Sequence, residues 1–238
     1  MKKPSLKRTL TLLEVIIAST IFSLLILTVV VASDGVLATS SVVYNRTYVE
    51  MEAEKVLNLI KDEIGRTGES DDGGTPRMAL DEAPADPGVE WSLVYTPLQN
   101  GGTVNWTQFG TGTPYDGLPW QGTRNVMRYE LTDPMGQDAN GTDDDGDYLV
   151  DEGRVVIYTD AGGGTPGAVI AVLGVELSTC QLTRVNLTDG RLPTYRISVS
   201  LERVLRHAVK TNADVAAINA GAGPRVRHTA SMLAIAPN

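Results

Sequence analysis

Four aspartates crowd into five positions at Asp143-Asp144-Asp145-Gly146-Asp147, and two more carboxylates follow at Asp151 and Glu152. Carboxylates at that density repel one another unless something neutralises them. Aligned on Gly146, the run fits the calcium-loop spacing D-x-[DN]-x-[DN]-G-x5-E at Asp143, Asp145 and Glu152, in which a turn glycine lets oxygen ligands converge. Gly141 stands where the first ligand belongs. Calcium tolerates loose geometry and backbone carbonyls, so Asp138, Asn140 or Asp151 could replace that ligand. Asp143, Asp145, Asp147, Asp151 and Glu152 are the candidate ligands, and calcium is the one cofactor suggested; a solvated acidic turn is the competing reading.

Other chemistry finds little support. His207 and His228 are the only histidines and Cys180 the only cysteine, so no set of nitrogen and sulfur ligands for a transition metal is in view. No G-x-S-x-G elbow, P-loop or G-x-G-x-x-G follows a strand-like run. Glu130 and Asp147 could be drawn as paired acids, but a chain this rich in carboxylates offers many such pairs. The sequence is read as non-enzymatic. Trp91, Trp106 and Trp120 lie among Asn, Gln, Thr and Gly, a mixture that suits stacking on sugars or peptides; buried core positions with satisfied N–H groups are the stronger reading. Four Asn-x-Thr sequons are taken as chance matches.

The elements that would position these residues begin with one carboxylate in an unusual place. Lys7-Arg8-Thr9-Leu10-Thr11-Leu12-Leu13-Glu14 leads into an apolar stretch from Val15 to Ala32. That stretch approaches the roughly 20 residues that cross a bilayer, and no Ala-x-Ala-like exit precedes Ser33. A carboxylate at a membrane helix centre costs about 2.5–3.5 kcal/mol, so an acid kept there is expected to have a partner. The basic cluster ahead of the apolar run, with an acidic chain after it, sets the N-terminus on the cytoplasmic side and exports the rest.

Residues Leu10 to Glu14 resemble the class III leader of type IV pilins and type II secretion pseudopilins. The resemblance implies a prepilin-type cleavage and methylation segment. An inner-membrane prepilin peptidase would cut between Thr9 and Leu10, and Glu14 would face the new α-amino group of a neighbouring subunit in a filament. Thr9 departs from the pattern, which has Gly and less often Ala there. Lys61-Asp62-Glu63-Ile64-Gly65-Arg66, the acidic loop feeding a strand at Leu149 to Tyr158, and the closing segment Arg227 to Ile235 resemble PilW-like minor pilins and pseudopilin J.

The chain has 238 residues and a net charge of −9, and loss of Lys2, Lys3, Lys7 and Arg8 with a leader would make it more negative still. Such a surface argues against direct nucleic-acid binding. With one cysteine, no intrachain disulfide can stabilise an exported domain.

Beyond the apolar run, Ser33-Asp34-Gly35 interrupts the pattern. Val49, Ala53, Val56, Ile60 and Ile64 then recur at helical spacing, with Glu50, Glu52, Glu54, Lys55, Lys61 and Asp62 on the other faces. A helix from Leu10 to Ile64 would be about 80 Å long, far more than a bilayer's roughly 30 Å core, so its second half needs a soluble surface to lie on. Residues 69–88 read as an exposed loop. Strand-like runs follow at Trp91–Thr96, Val104–Phe109, Val126–Leu131, Arg154–Thr159, Val169–Leu173, Leu177–Val185, Tyr195–Arg203 and Thr229–Ile235. Residues 205–227 read as a mobile loop.

The expected fold is α+β: a leader at 1–9, an N-terminal helix at 10–65 (transmembrane 10–32, amphipathic 33–65) and a β-rich globular domain at 66–238, the helix packing on an antiparallel sheet as in pilins. The expected function is that of a minor pilin or pseudopilin, a structural subunit of a type IV pilus or type II secretion pseudopilus. Its partners would be other pilins or pseudopilins, the prepilin peptidase, the inner-membrane assembly platform and the membrane itself. It would be held in the inner membrane by a single pass, with a periplasmic or extracellular domain, until it enters a filament. The alternative is a membrane-anchored periplasmic or surface binding protein with an uncleaved signal anchor.

Overall fold

The first helix starts where Thr11 and Glu14 form a reciprocal cap. The Thr11 backbone N–H donates to Glu14 Oε2 at 2.8 Å, and the Glu14 N–H donates to Thr11 Oγ1 at 3.3 Å. Two otherwise orphaned amide donors are thereby satisfied at the helix entry. Helix α1 runs from Leu12 to Gly65. It continues through Ser33-Asp34-Gly35, because adding a residue to an existing helix is cheap and one glycine costs only about 1 kcal/mol. Hydroxyls in the apolar part turn back on the helix: Ser19 and Thr20 donate to the Ile16 carbonyl, Ser23 to that of Ser19, and Thr28 to that of Leu24. Such bonds remove the penalty of placing a hydroxyl in hydrocarbon.

The computed structural model describes residues 11–67, 71–72, 75–99, 102–108, 117–131, 148–150, 152–185 and 193–236. The chain divides into two compact units, with the boundary between Tyr44 and Asn45. In the first unit the large apolar side chains are exposed, from 38% at Val42 to 79% at Leu12. A contiguous apolar surface of this kind is not left facing water. This one helix is long and apolar enough to cross a membrane.

The second unit is α+β. Here α1 buries Val49, Ala53, Val56, Leu57, Ile60 and Ile64 in the main core, so the stripe read from the sequence is the face that packs. Arg46–Glu50 and Lys55–Glu52 ion pairs occupy its outer surface at 2.9 and 2.7 Å. Strands β1 (Asp71–Asp72) and β2 (Thr75–Pro76) form a small pair. Strands β3 (Met78–Asp81), β4 (Val89–Tyr95), β5 (Asn125–Leu131), β6 (Gly153–Asp160), β7 (Pro166–Val185), β8 (Thr194–Val204) and β9 (Arg225–Ile235) form one curled antiparallel sheet in sequential order. Helix α2 (Asn212–Asn219) lies between β8 and β9.

Several strand and loop expectations are corrected. The segment 102–108 is not a strand but carries a turn at 106–108, where Asn105 accepts from the Thr107 N–H and hydroxyl. The run 169–185 is one strand rather than two. Its first half pairs with β6 and its second with β8, and the bend falls at Gly174 to Glu176, where Glu176 adopts φ +56°. Strand β3 emerges from the segment read as loop, because Met78 is buried in the core while its neighbours pair with β4. The segment 205–227 is not irregular throughout: Thr211 caps α2 in a reciprocal box with Asp214, and alanines fill the helix.

At the bend, side chains from the first half of the meander reach the backbone of β7. Trp91 Nε1 donates to the Cys180 carbonyl at 2.9 Å, and the Tyr129 hydroxyl donates to the Leu177 carbonyl at 3.0 Å. The Arg184 N–H donates to Glu82 Oε1 at 3.1 Å. Three edge groups that the strand ladder leaves over are satisfied in this way.

Candidate functional site

Glu14 is the predicted site residue with a defined environment at the head of α1. Its carboxylate also accepts from the Thr11 hydroxyl at 3.0 Å, so it caps its own helix. Sequence reasoning missed this partner, although Thr-x-x-Glu ahead of an apolar run is itself the signal of a capping box. Thr9 and Leu10, the expected cleavage positions, lie outside the described residues.

Of the candidate calcium ligands, Asp143, Asp145, Asp147 and Asp151 also lie outside the described residues, whereas Glu152 does not. Glu152 is buried at 5% exposure. Two contacts fix the chain around it. Leu149 inserts into a satellite core with Val204 and Ile218, and Gly153 presses so closely on the Tyr129 ring that a Cβ would sit 2.1 Å from it. Glu152 faces a cavity of about 180 Å3, shared with Ser178, Glu202 and Arg225. Glu202 is taken by two guanidiniums, Arg225 at 2.5 Å and Arg227 at 3.1 Å. Among the described residues, no three His, Cys, Asp or Glu side chains converge as a metal-holding group.

The tryptophans divide. Trp91 is core at 2% exposure with its N–H satisfied, Trp106 is 74% exposed, and Trp120 lies under the Arg77 guanidinium at 4.2 Å from its ring centre. Burial pushes the Cys180 thiol up to about 12, which leaves it protonated and inert at neutral pH.

A polar cluster on the outer face of β5 and β6 was not anticipated. The Tyr158 hydroxyl donates to Glu130 at 2.9 Å, and Arg154 closes on the same carboxylate at 3.3 Å. Burial, then the Glu130 carboxylate, raises the Tyr158 hydroxyl above its ordinary range. Next to it, Arg128 pairs with Asp86 of the β3–β4 connection. Charged side chains on the outer face of a sheet ordinarily meet solvent, yet Arg128 and Glu130 are both buried, at 8% and 9% exposure.

No known protein family, curated protein or solved structure matches this chain.

Proposed function

We propose that the chain is a minor pilin or pseudopilin, a non-catalytic structural subunit of a type IV pilus or type II secretion pseudopilus. The observation that carries this reading is α1: a single helix whose early residues are apolar, exposed and membrane-length, and whose residues 49–64 bury one stripe in an antiparallel sheet. The leader resemblance at Leu10 to Glu14 supplies the rest. The subunit is held in the inner membrane with its second unit exported. It then exchanges lipid contacts for contacts with neighbouring helices as it enters the filament. Glu14 sets axial register there by pairing with an α-amino group exposed when the peptidase cuts between Thr9 and Leu10.

Intact-mass measurement of the membrane-extracted protein from a peptidase-positive host tests the reading. The expected product begins at Leu10, is N-methylated, and co-purifies with other pilins in sheared filaments. A product that still begins at Met1 and is absent from those filaments defeats it.

That outcome would favour the second reading, a membrane-anchored periplasmic or surface binding protein. Two observations favour it specifically. Thr9 occupies the position where the leader pattern has a small residue, and Glu14 already has a partner within its own chain.

A further inference from the structure

The side chains of Asp81, Ser92 and Arg128 come from directly paired positions on β3, β4 and β5, and so form one row across the sheet. This row floors a cavity of about 340 Å3, walled by Leu80, Pro84 and Val94 and by the Gly163-Gly164 turn. That volume is at the lower end of the range of roughly 300–1,000 Å3 typical of small-ligand sites. Arg128 is the informative member. It is more than nine-tenths buried, its Nη2 meets Asp86, and its Nε–H has no acceptor among the described residues. A buried guanidinium donor left over in this way needs an explanation, because an unsatisfied buried polar group is costly.

The surroundings restrict what could satisfy it. Two carboxylates, Asp81 and Asp86, face one guanidinium, so an anion would meet net repulsion, while a metal ion would sit beside a fixed positive charge. An extended peptide could pair only along the outer edge of β3, beside the cavity rather than over Ser92 and Arg128, since β4 and β5 are paired on both sides. What remains is a neutral molecule that both donates and accepts at several points. It would accept from Arg128 Nε, donate to the carboxylates, do either with the Ser92 hydroxyl, and lay C–H surface on Pro84 and Val94.

We propose that this cavity binds a neutral monosaccharide unit, with Arg128 and Ser92 as its floor contacts and Asp86 as the carboxylate that orients both the guanidinium and the sugar hydroxyls. The walls are aliphatic, without the aromatic platform that strengthens sugar stacking, so binding is millimolar.

Saturation-transfer NMR on the full chain in lipid nanodiscs tests the proposal, with the methyl glycosides of glucose, galactose and N-acetylglucosamine as probes. Glucuronate and glucosamine serve as charged controls. At least one neutral glycoside should be saturated by the wild type. Arg128→Lys, which removes the Nε donor, should weaken it by about tenfold or more. Ser92→Ala should weaken it several-fold, and Lys61→Ala, outside the cavity, should leave it unchanged. If Arg128→Lys does not fold, judged by its melting curve, Ser92→Ala and Asp86→Asn decide the matter. The proposal is overturned if no neutral glycoside is saturated, if only a charged control is, or if the floor variants that fold bind as well as the wild type.

Discussion

The Glu14 carboxylate has two claimants, and they can be separated chemically. As the third residue of a capping box it needs only an acceptor, which glutamine also supplies. As the partner of an α-amino group it needs its charge. Glu14→Gln should therefore keep the helix start and insert normally, yet fall out of sheared filament fractions as completely as Glu14→Ala. Wild-type filament levels of Glu14→Gln would mean that the cap alone is the function. The same lesson about type and environment holds at Arg128. Period-2 alternation along β5 puts it on the face opposite Met127, but alternation says nothing of what a distant loop lays over that face. Asp86 is 42 positions away in sequence, and no local pattern links the two.

At the scale of elements, helix α1 and strand β7 meet where neither has room to spare. A Cβ on Gly174 would come within 2.6 Å of Val56 Cγ2. Gly174→Ala should cost about 1–3 kcal/mol through overpacking, and adding Val56→Ala should recover part of that loss. Additive losses in a denaturant series would show that the two sites do not touch. Helix α2 offers a titration. The backbone N–H of Lys210, then the Thr211 hydroxyl, holds the Asp214 carboxyl below its ordinary value of 3.8. A depressed carboxyl stabilises the fold above the unfolded pKa, and that contribution disappears as pH falls through the lower folded value. The amides of 212–219 should therefore exchange at constant protection from neutral pH down to about 4 and lose it below, and Asp214→Asn should remove the pH dependence. The stripe of α1 was legible because a helical period repeated over sixteen residues is hard to produce by chance. Helix α2 was not, since eight residues give barely two turns and its glycine-rich exit looked like loop. Nor was the unity of β7: Gly174 reads as a terminator, whereas here it is the bend by which one strand serves two partners.

On the scale of the whole molecule, stability rests on one main core with no disulfide, so a bound ion would be a substantial addition. If the acidic loop holds calcium at the weak affinity of extracellular modules, with Kd on the order of 10⁻⁴–10⁻³ M, then about 1 mM calcium adds roughly 0.4–1.4 kcal/mol by mass action. Melting curves of the full chain in calcium, magnesium and chelator check this, and Asp145→Ala should remove the calcium response. Identical curves in calcium and chelator would return the loop to a solvated turn. The candidate site was only partly legible at this scale as well. The sequence shows the carboxylates and their spacing, but that Leu149 and Gly153 clamp the end of the loop depends on α2 and β5, which arrive from elsewhere in the chain.

The indole of Trp91 and the thiol of Cys180 give the curled sheet a built-in clock. Cys180 is 2% exposed and sits on the segment that Trp91 and Tyr129 tie down, so a maleimide can reach its sulfur only when the corner of the sheet opens. Its labelling rate, divided by that of the unfolded chain, gives the fraction of time the corner is open. In an oxidising compartment the same fraction sets how fast two copies become cross-linked through sulfur. A Trp91→Phe chain, which leaves the Cys180 carbonyl without its indole donor, should therefore accumulate covalent dimers sooner than it loses its fold.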